Sequence, residues 1–265
     1  MRYYVNLFML RLMLYNICKG GGERLPLIAK IVQEEKSDIL GLLETVGWGE
    51  KELREFTQAA GLPHSFLGKA NTKYDMALLG TPAPFGVINI QEGFWHTVVQ
   101  ATYRITSIGD LTVFLAHLNP RDPNARLQEV RRLIELTRSF PHTVLMGDFN
   151  SLSPHDPYDH QALLKLLHEQ GIAKFGIETL QFDCIKFIES QGFIDVMRAL
   201  QKPFTPTVPT PANDDKMHAA PLRLDYVFIS AGLRPFLRQA TTVTTPLADI
   251  ASDHYPVLAD FDLVP

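Results

Sequence analysis

Apolar and polar positions along this chain fall into short blocks, some with strand character and some with helical spacing. Residues 10–17 form an almost unbroken apolar run, broken by Gly20-Gly21-Gly22, and read as a buried strand. Leu27, Ile28, Ile31 and Val32 sit at helical spacing within 24–35. A short apolar run, 38–43, ends at Glu44, and 50–60 reads as a second helix stopped by Gly61. Successive strands are predicted at 76–79, 85–90 and 95–105, separated by Gly and Pro, and another at 111–116 that ends on His117. Asn124 is the predicted cap of a helix to about Arg138, with Leu127, Val130, Leu133, Ile134 and Thr137 along one side. Residues 143–146 read as the strand before Asp148, and 158–168 and 180–191 as helices. A Pro- and Thr-rich loop covers 202–221, and the last strands are predicted at 222–230, 236–243 and 255–263. Strands outnumber helices and occur both as meanders and as strand–helix units. That pattern predicts an α/β protein with two packed, largely antiparallel sheets and helices outside them, rather than a doubly wound parallel sheet. With no internal repeat and no linker, residues 1–265 read as a single domain.

Composition narrows the class. The 265 residues are 46% apolar and 20% charged, which is ordinary globular usage with enough apolar material for a large core. A net charge of −4 lacks the global basic footprint of an avid duplex binder. Cys18 and Cys184 lie far apart, in no metal or disulfide spacing, which suits a reducing, cytoplasmic setting. The apolar stretch 3–17 invites a signal-peptide reading. Arg11 interrupts it, no small-residue cleavage site follows and it is too short to span a bilayer, so 10–17 is read as a core strand, with no membrane insertion. Nothing in the sequence calls for a protein partner.

The chemistry is carried by short polar residues that close apolar runs: Asn16, Glu44, His117, Gly147-Asp148-Phe149-Asn150, Asp225 and Ser252-Asp253-His254. Delivery from the ends of rigid elements suits a site that holds charge in a fixed geometry. Hydrolysis of a phosphoester needs a cation on the phosphate, a group that positions or deprotonates water, and donors for the charge that develops. Glu44, Asp148, Asp225 and Asp253 supply carboxylates, Asn16 and Asn150 neutral amides, and His117 and His254 donors that charge near neutrality. An oxygen-dominated set fits Mg2+, with Mn2+ as a substitute, better than zinc, which prefers nitrogen and sulfur. Read singly, each position has a plainer account: Glu44 as a surface carboxylate, Asp148-Phe149-Asn150 as a turn, His254 as a satisfied core histidine. Asp225 between Leu224 and Tyr226 is harder to dismiss, because an unpaired buried carboxylate is costly.

Taken in order, Asn16 in Tyr-Asn-Ile, Glu44 in Leu-Leu-Glu-Thr, His117 in Ala-His-Leu, Gly147-Asp148-Phe149-Asn150, Arg223-Leu224-Asp225-Tyr226 and Ser252-Asp253-His254 resemble the motif set of the endonuclease/exonuclease/phosphatase superfamily. The resemblance implies a four-layer α/β/β/α sandwich with its site at one end of the two sheets. It implies Glu44 as principal metal ligand with Asn16 beside it, and Asp253 acting near the metal. Asp148 would activate or position water, and Asn150 would orient the phosphate. His254 would lie against a phosphate oxygen, its ring held and kept protonated by Asp225. His117 would be a second phosphate-facing histidine. Relatives steady that histidine with a glutamate; here Thr72-Lys73-Tyr74-Asp75 stands at the place, with Asp75 the available substitute. The implied function is a phosphodiesterase or nuclease acting on DNA or RNA. The alternative is a phosphatase of small-molecule, lipid or inositol phosphates. A non-catalytic binding module is disfavoured, because both the metal glutamate and the Asp–His pair are present.

Weaker candidates surround this set. Arg121, Arg126, Arg131, Arg132 and Arg138 read as a solvated helix flank before a polyanion face. Arg223 is a candidate phosphate contact, His218 a residue able to lean over the site, and Trp48 a core or rim aromatic with stacking potential. His155, Asp156 and Asp159 resemble a metal cluster on paper, but Pro154 and Pro157 make a turn the better reading.

Overall fold

The structure is a computed structural model and describes residues 9–213 and 218–263. The start of the apolar stretch 3–17, and with it part of the signal-peptide question, lies outside the described residues, as does part of the 202–221 loop. Among the described residues no helix is long and apolar enough to cross a membrane.

Two six-stranded sheets pack face to face. The first has the order β11-β12-β1-β2-β4-β3, built from β1 (Met9–Asn16), β2 (Ile39–Leu43), β3 (His64–Gly68), β4 (Met76–Gly80), β11 (Leu237–Thr242) and β12 (Val257–Asp262). The second has the order β5-β6-β7-β8-β10-β9, from β5 (Gly86–Ile90), β6 (Val98–Ile105), β7 (Gly109–His117), β8 (His142–Asp148), β9 (Ile194–Asp195) and β10 (Asp225–Ile229). Neighbours are antiparallel except β1 with β2 and β7 with β8. Each parallel pair is joined by one helix, α1 (Leu25–Glu35) or α3 (Pro123–Thr137), the crossover that parallel strands require. The sheets are therefore mixed, largely antiparallel, and flanked by helices, as the resemblance implied.

Strand alternation explains the layers. Leu10, Leu12 and Leu14 of β1 point between the sheets, with Val113 and Leu115 of β7 and Val144 and Met146 of β8. Met13 and Tyr15 point outward under α1, α2 (Glu50–Ala60) and α7 (Ala248–Ala251). On the other sheet, Phe114, Leu145, Tyr226 and Phe228 pack under α3 and α5 (Asp183–Ser190). A further cluster under α4 (His160–Glu169) includes Leu167, Phe175, Val208 and Leu222 and ties together the loops that approach β10. Gly41 lets the sheets interdigitate, since a Cβ there would fall 2.5 Å from Leu115 and 2.7 Å from Met146 side-chain carbons.

Several boundaries differ from expectation for local reasons. β3 was not anticipated; it is a half-exposed edge strand whose apolar alternation is weak. The α3 cap is Asp122, whose Oδ1 accepts from Asn124 N at 2.8 Å, so Asn124 lies inside the helix behind Pro123. The predicted strand 95–105 starts only at Val98, which leaves Trp95 and His96 on the preceding loop. The short elements β9, α6 (Val196–Ala199) and α7 carry too few residues for periodicity to show.

Candidate active site

Parallel pairing sets the site. Asn16 ends β1 opposite Leu43, one residue before Glu44; His117 and Asp148 end β7 and β8 directly opposite each other; Asp225 opens β10 opposite Asp148. Val257 of β12 pairs with Leu14, so Asp253 and His254 fall just beyond the end of β1. All eight predicted positions therefore lie at one end of the sandwich. Asn16 Nδ2 is 3.4 Å from Glu44 Oε1, 3.5 Å from Asp148 Oδ2 and 3.5 Å from His254 Nε2. Its carboxamide oxygen accepts from Cys18 N at 3.1 Å.

The local backbone is unusual where function is expected. Glu44 (φ 61°) and Asn150 (φ 46°) are left-handed, a conformation non-glycine residues adopt rarely and at a cost. Glu44 is held there by its carbonyl, which accepts from Gly20 N and Val46 N, each at 2.7 Å, and by its carboxylate, which accepts from Lys19 N at 3.0 Å. Asn150 is held by Asp148 Oδ1, which accepts from Asn150 N at 2.8 Å, and its own Nδ2 donates to Leu118 O at 3.2 Å. Gly147 is needed beside Asp148, because a Cβ there would drive into the Ala116 backbone and push β8 away from β7.

Electrostatics separates the two histidines. Burial alone would lower the His254 imidazole, but Asp225 Oδ2 at 2.8 Å from Nδ1, with Asp253 and Asp148 nearby, outweighs it and pushes the pKa up to about 10. No carboxylate approaches His117 as closely among the described residues. Burial, then the neighbouring His96, holds it well below 6.5, and its Nδ1 has no hydrogen-bond partner among the described residues. His117 Nε2 lies 3.6 Å from Asp148 Oδ2. Asp148 is pushed up by burial and then by Asp225. Glu44 is pushed up by burial, with Asp253 adding to the rise.

Asp75 does not support His117. Its carboxylate takes Lys69 Nζ at 2.7 Å and Ala70 N at 2.9 Å. The support comes from His96, stacked on His117 with centroids 4.5 Å apart and fixed by Thr72 Oγ1 at 2.6 Å from its Nδ1, with Tyr74 edge-on to both rings. Burial lowers His96 to about 4, so this wall is uncharged. Sequence reasoning missed His96 because it fell inside the predicted strand 95–105 and closed no apolar run. It also missed Lys174, which is 95% buried in the loop after α4 and donates from Nζ to Asn150 Oδ1 at 3.2 Å. A single lysine inside Ile172-Ala173-Lys174-Phe175 was the signal available.

The weaker candidates sort cleanly. His218 is buried, edge-on to His254 with centroids 5.0 Å apart, and its Nδ1 lies 3.7 Å from Asp253 Oδ2. Arg223 is not at the site: Asp156 and Asp195 hold its guanidinium, which lies over Tyr226. His155 pairs with Glu189, and Asp159 caps α4, so no metal cluster forms there. Trp48 is buried, donates to Gly20 O and packs on Phe56. Arg126 belongs neither to a solvated flank nor to a polyanion face. It is buried and donates to Asn119 O at 2.8 Å and to Lys174 O. Glu129, one turn on, accepts from Asn119 N at 2.7 Å and from Trp95 N. The buried face of α3 thus clamps the three loops that carry Trp95 and His96, Arg121, and Lys174.

Glu44, His96, His117, Asp148, Asn150, Lys174, His218, Asp253 and His254 are among the residues that line a pit of about 340 Å³. Among the described residues, Asp148, Asp225 and His254, and His218, Asp253 and His254, form two overlapping sets with metal-ligand spacing, but an imidazolium charged by Asp225 offers no lone pair to a metal, which leaves the carboxylates as available ligands. A two-sheet α/β/β/α sandwich with carboxylates, amides and a charged imidazole around one pit defines a metal-assisted phosphoester-hydrolase architecture. The sequence matches the Endonuclease/Exonuclease/phosphatase family over residues 13–254, and the chain belongs to that family. Members are hydrolases acting on phosphoesters and are generally dependent on a divalent metal. No curated protein matches the sequence. Solved structures share the fold. An AP endonuclease from Archaeoglobus fulgidus superposes with TM-score 0.69 at 20% identity, covering 96% of this chain and 99% of that one. A 3' phosphatase from Neisseria bound to a product DNA hairpin gives 0.68 at 18%, covering 96% and 99%. A mannosyl-6-phosphatase from Bacteroides thetaiotaomicron gives 0.63 at 17%, covering 94% and 98%.

Proposed function

We propose that this chain hydrolyses phosphodiester bonds of nucleic acid with Mg2+, or Mn2+ in its place, in the cytoplasm, where the buried thiols of Cys18 and Cys184 stay reduced. The observation that carries the reading is the convergence of Asn16 Nδ2 on Glu44, Asp148 and His254 within 3.4–3.5 Å, with His254 charged by Asp225. The exposed cations Lys19 and Arg121 at the mouth of the pit favour a substrate carrying phosphates beyond the one attacked.

The donor set fits a hard divalent ion. Burial, and then the nearby Asp253, raise the cost of ionising Glu44, and a cation at this place relieves it. Glu44 and Asp253 would hold the ion, with Asn16 beside them. When bound it supplies Lewis-acid stabilisation of phosphoryl oxygens. The chain's own groups do the rest. Asp148 takes the proton of a water that attacks phosphorus in line, a task suited to a carboxyl raised toward neutrality. Asn150, steadied by Lys174, orients the phosphate. His254 donates a charged hydrogen bond to a phosphoryl oxygen. Neutral His117 offers an N–H but no proton to the leaving group.

A second reading, a phosphatase of sugar or inositol phosphates, is favoured by the small volume of the pit. One panel separates them: single- and double-stranded DNA, RNA, and sugar and inositol phosphates, with Mg2+ and with EDTA. EDTA-sensitive strand cleavage is expected. Phosphate release from small monoesters without strand cleavage overturns the nuclease reading, and no EDTA-sensitive hydrolysis of any member overturns the enzymatic one.

A further inference from the structure

Trp95 is 42% exposed, yet its backbone is fixed from behind. Glu129 takes its N–H together with that of Asn119, and Asn71 Nδ2 donates to the preceding carbonyl, Phe94 O, at 2.8 Å. The indole is therefore exposed on an anchored loop. It forms part of the pit wall with Tyr74, His96 and Arg121, and the Arg121 guanidinium lies 5.9 Å from the ring centroid. Shallow clefts of about 610 Å³ on the Arg121 side and about 620 Å³ on the Trp95 side lead away from the pair.

We propose that Trp95 and Arg121 form a subsite that stacks an unpaired nucleobase attached to the phosphoryl group held in the pit, an inference that rests on the nucleic-acid reading above. A π face beside a cation serves any base, because every base has a flat face, and the guanidinium reaches the adjoining phosphate. A base inside a duplex has both faces covered by its neighbours. The subsite therefore selects single strands and frayed ends, in keeping with a net charge of −4 and the absence of a global basic footprint. A sugar phosphate fills the pit but leaves the indole uncovered.

The chain has two tryptophans, and Trp48 is 4% exposed, so emission changes caused by a ligand at the mouth arise from Trp95. Emission is titrated with a short thymidine oligonucleotide and with a strand of the same backbone lacking bases, in Mg2+ and in EDTA. Cleavage of both strands is followed for wild type, W95F, W95A and R121A. The base-bearing strand is expected to quench emission, the abasic strand not, and W95F to remove the quench. W95A is expected to reduce the ratio of kcat/KM between base-bearing and abasic strands by about tenfold, the scale of one lost base–aromatic stack, with W95F largely restoring it. Equal quenching by both strands, or an unchanged ratio in W95A, overturns the subsite. Base-selective quenching without strand cleavage sustains the subsite and overturns the nuclease reading. Cleavage without base selectivity does the reverse.

Discussion

Asp225 and Glu44 make the residue-scale claims separable. Asp225 touches His254 at 2.8 Å and is the main reason that imidazole titrates upward despite burial. Asp225→Asn is expected to bring the His254 pKa down, read by the NMR titration of its ring protons, and to lower kcat more than metal affinity. An unmoved titration would mean that Asp225 does not charge the imidazole. Glu44→Ala is expected to weaken Mn2+ binding, measured by calorimetry, by more than the 10–100-fold typical of losing an outer-shell partner. Unaltered binding would remove Glu44 from the metal site. These residues were legible in the sequence because each closes or opens an apolar run, so strand identity fixed its direction. Lys174 and His96 were not, because the loops that present them follow contacts made far away in the chain, such as Arg126 to Lys174 O.

At the scale of elements, α3 is the frame on which the rim is mounted. Its pattern gave a helix with one apolar side, correctly, but placed Arg126 among solvated charges. What the pattern lacks is the inward polar pair, which becomes apparent only once three loops are seen to end on it. Glu129 is buried, and burial raises its carboxyl from 4.5 to about 7. With the folded pKa above the unfolded one, the native state binds the extra proton. The associated stability is complete below about pH 4.5 and is lost as pH rises to about 7, at a cost of about 3 kcal/mol. Glu129→Gln is therefore expected to flatten the pH dependence of urea-unfolding free energy across that window. A slope equal to that of wild type would show that Glu129 titrates normally. The parallel pairs were the part of the sheet pattern least visible in advance. Apolar runs predict strands, whereas pairing direction follows from where α1 and α3 return the chain.

At the scale of the whole molecule, the two sheets meet through a largely aliphatic layer in which Tyr103 is also buried, and the carboxylates of the pit gather at one end of it. The buried carboxylates there are held apart from bulk water and crowd one another, so a divalent ion that binds the folded state stabilises it. At a hundredfold excess over Kd the gain is about 2.7 kcal/mol, several degrees in Tm. Calorimetric scans with Mg2+ and with EDTA should show that difference in wild type and lose it in Glu44→Ala; identical scans would place the ion outside the folded site. β12 lies between β1 and β11, and Ser252 Oγ reaches back 236 positions to donate to Asn16 O. Asn16 and Glu44 come from the first strands of the chain, whereas His254 takes its place only where β12 pairs with β1. The pit therefore exists only in the fully paired sheet: with β12 unseated, Asn16 and Glu44 stand without their His254.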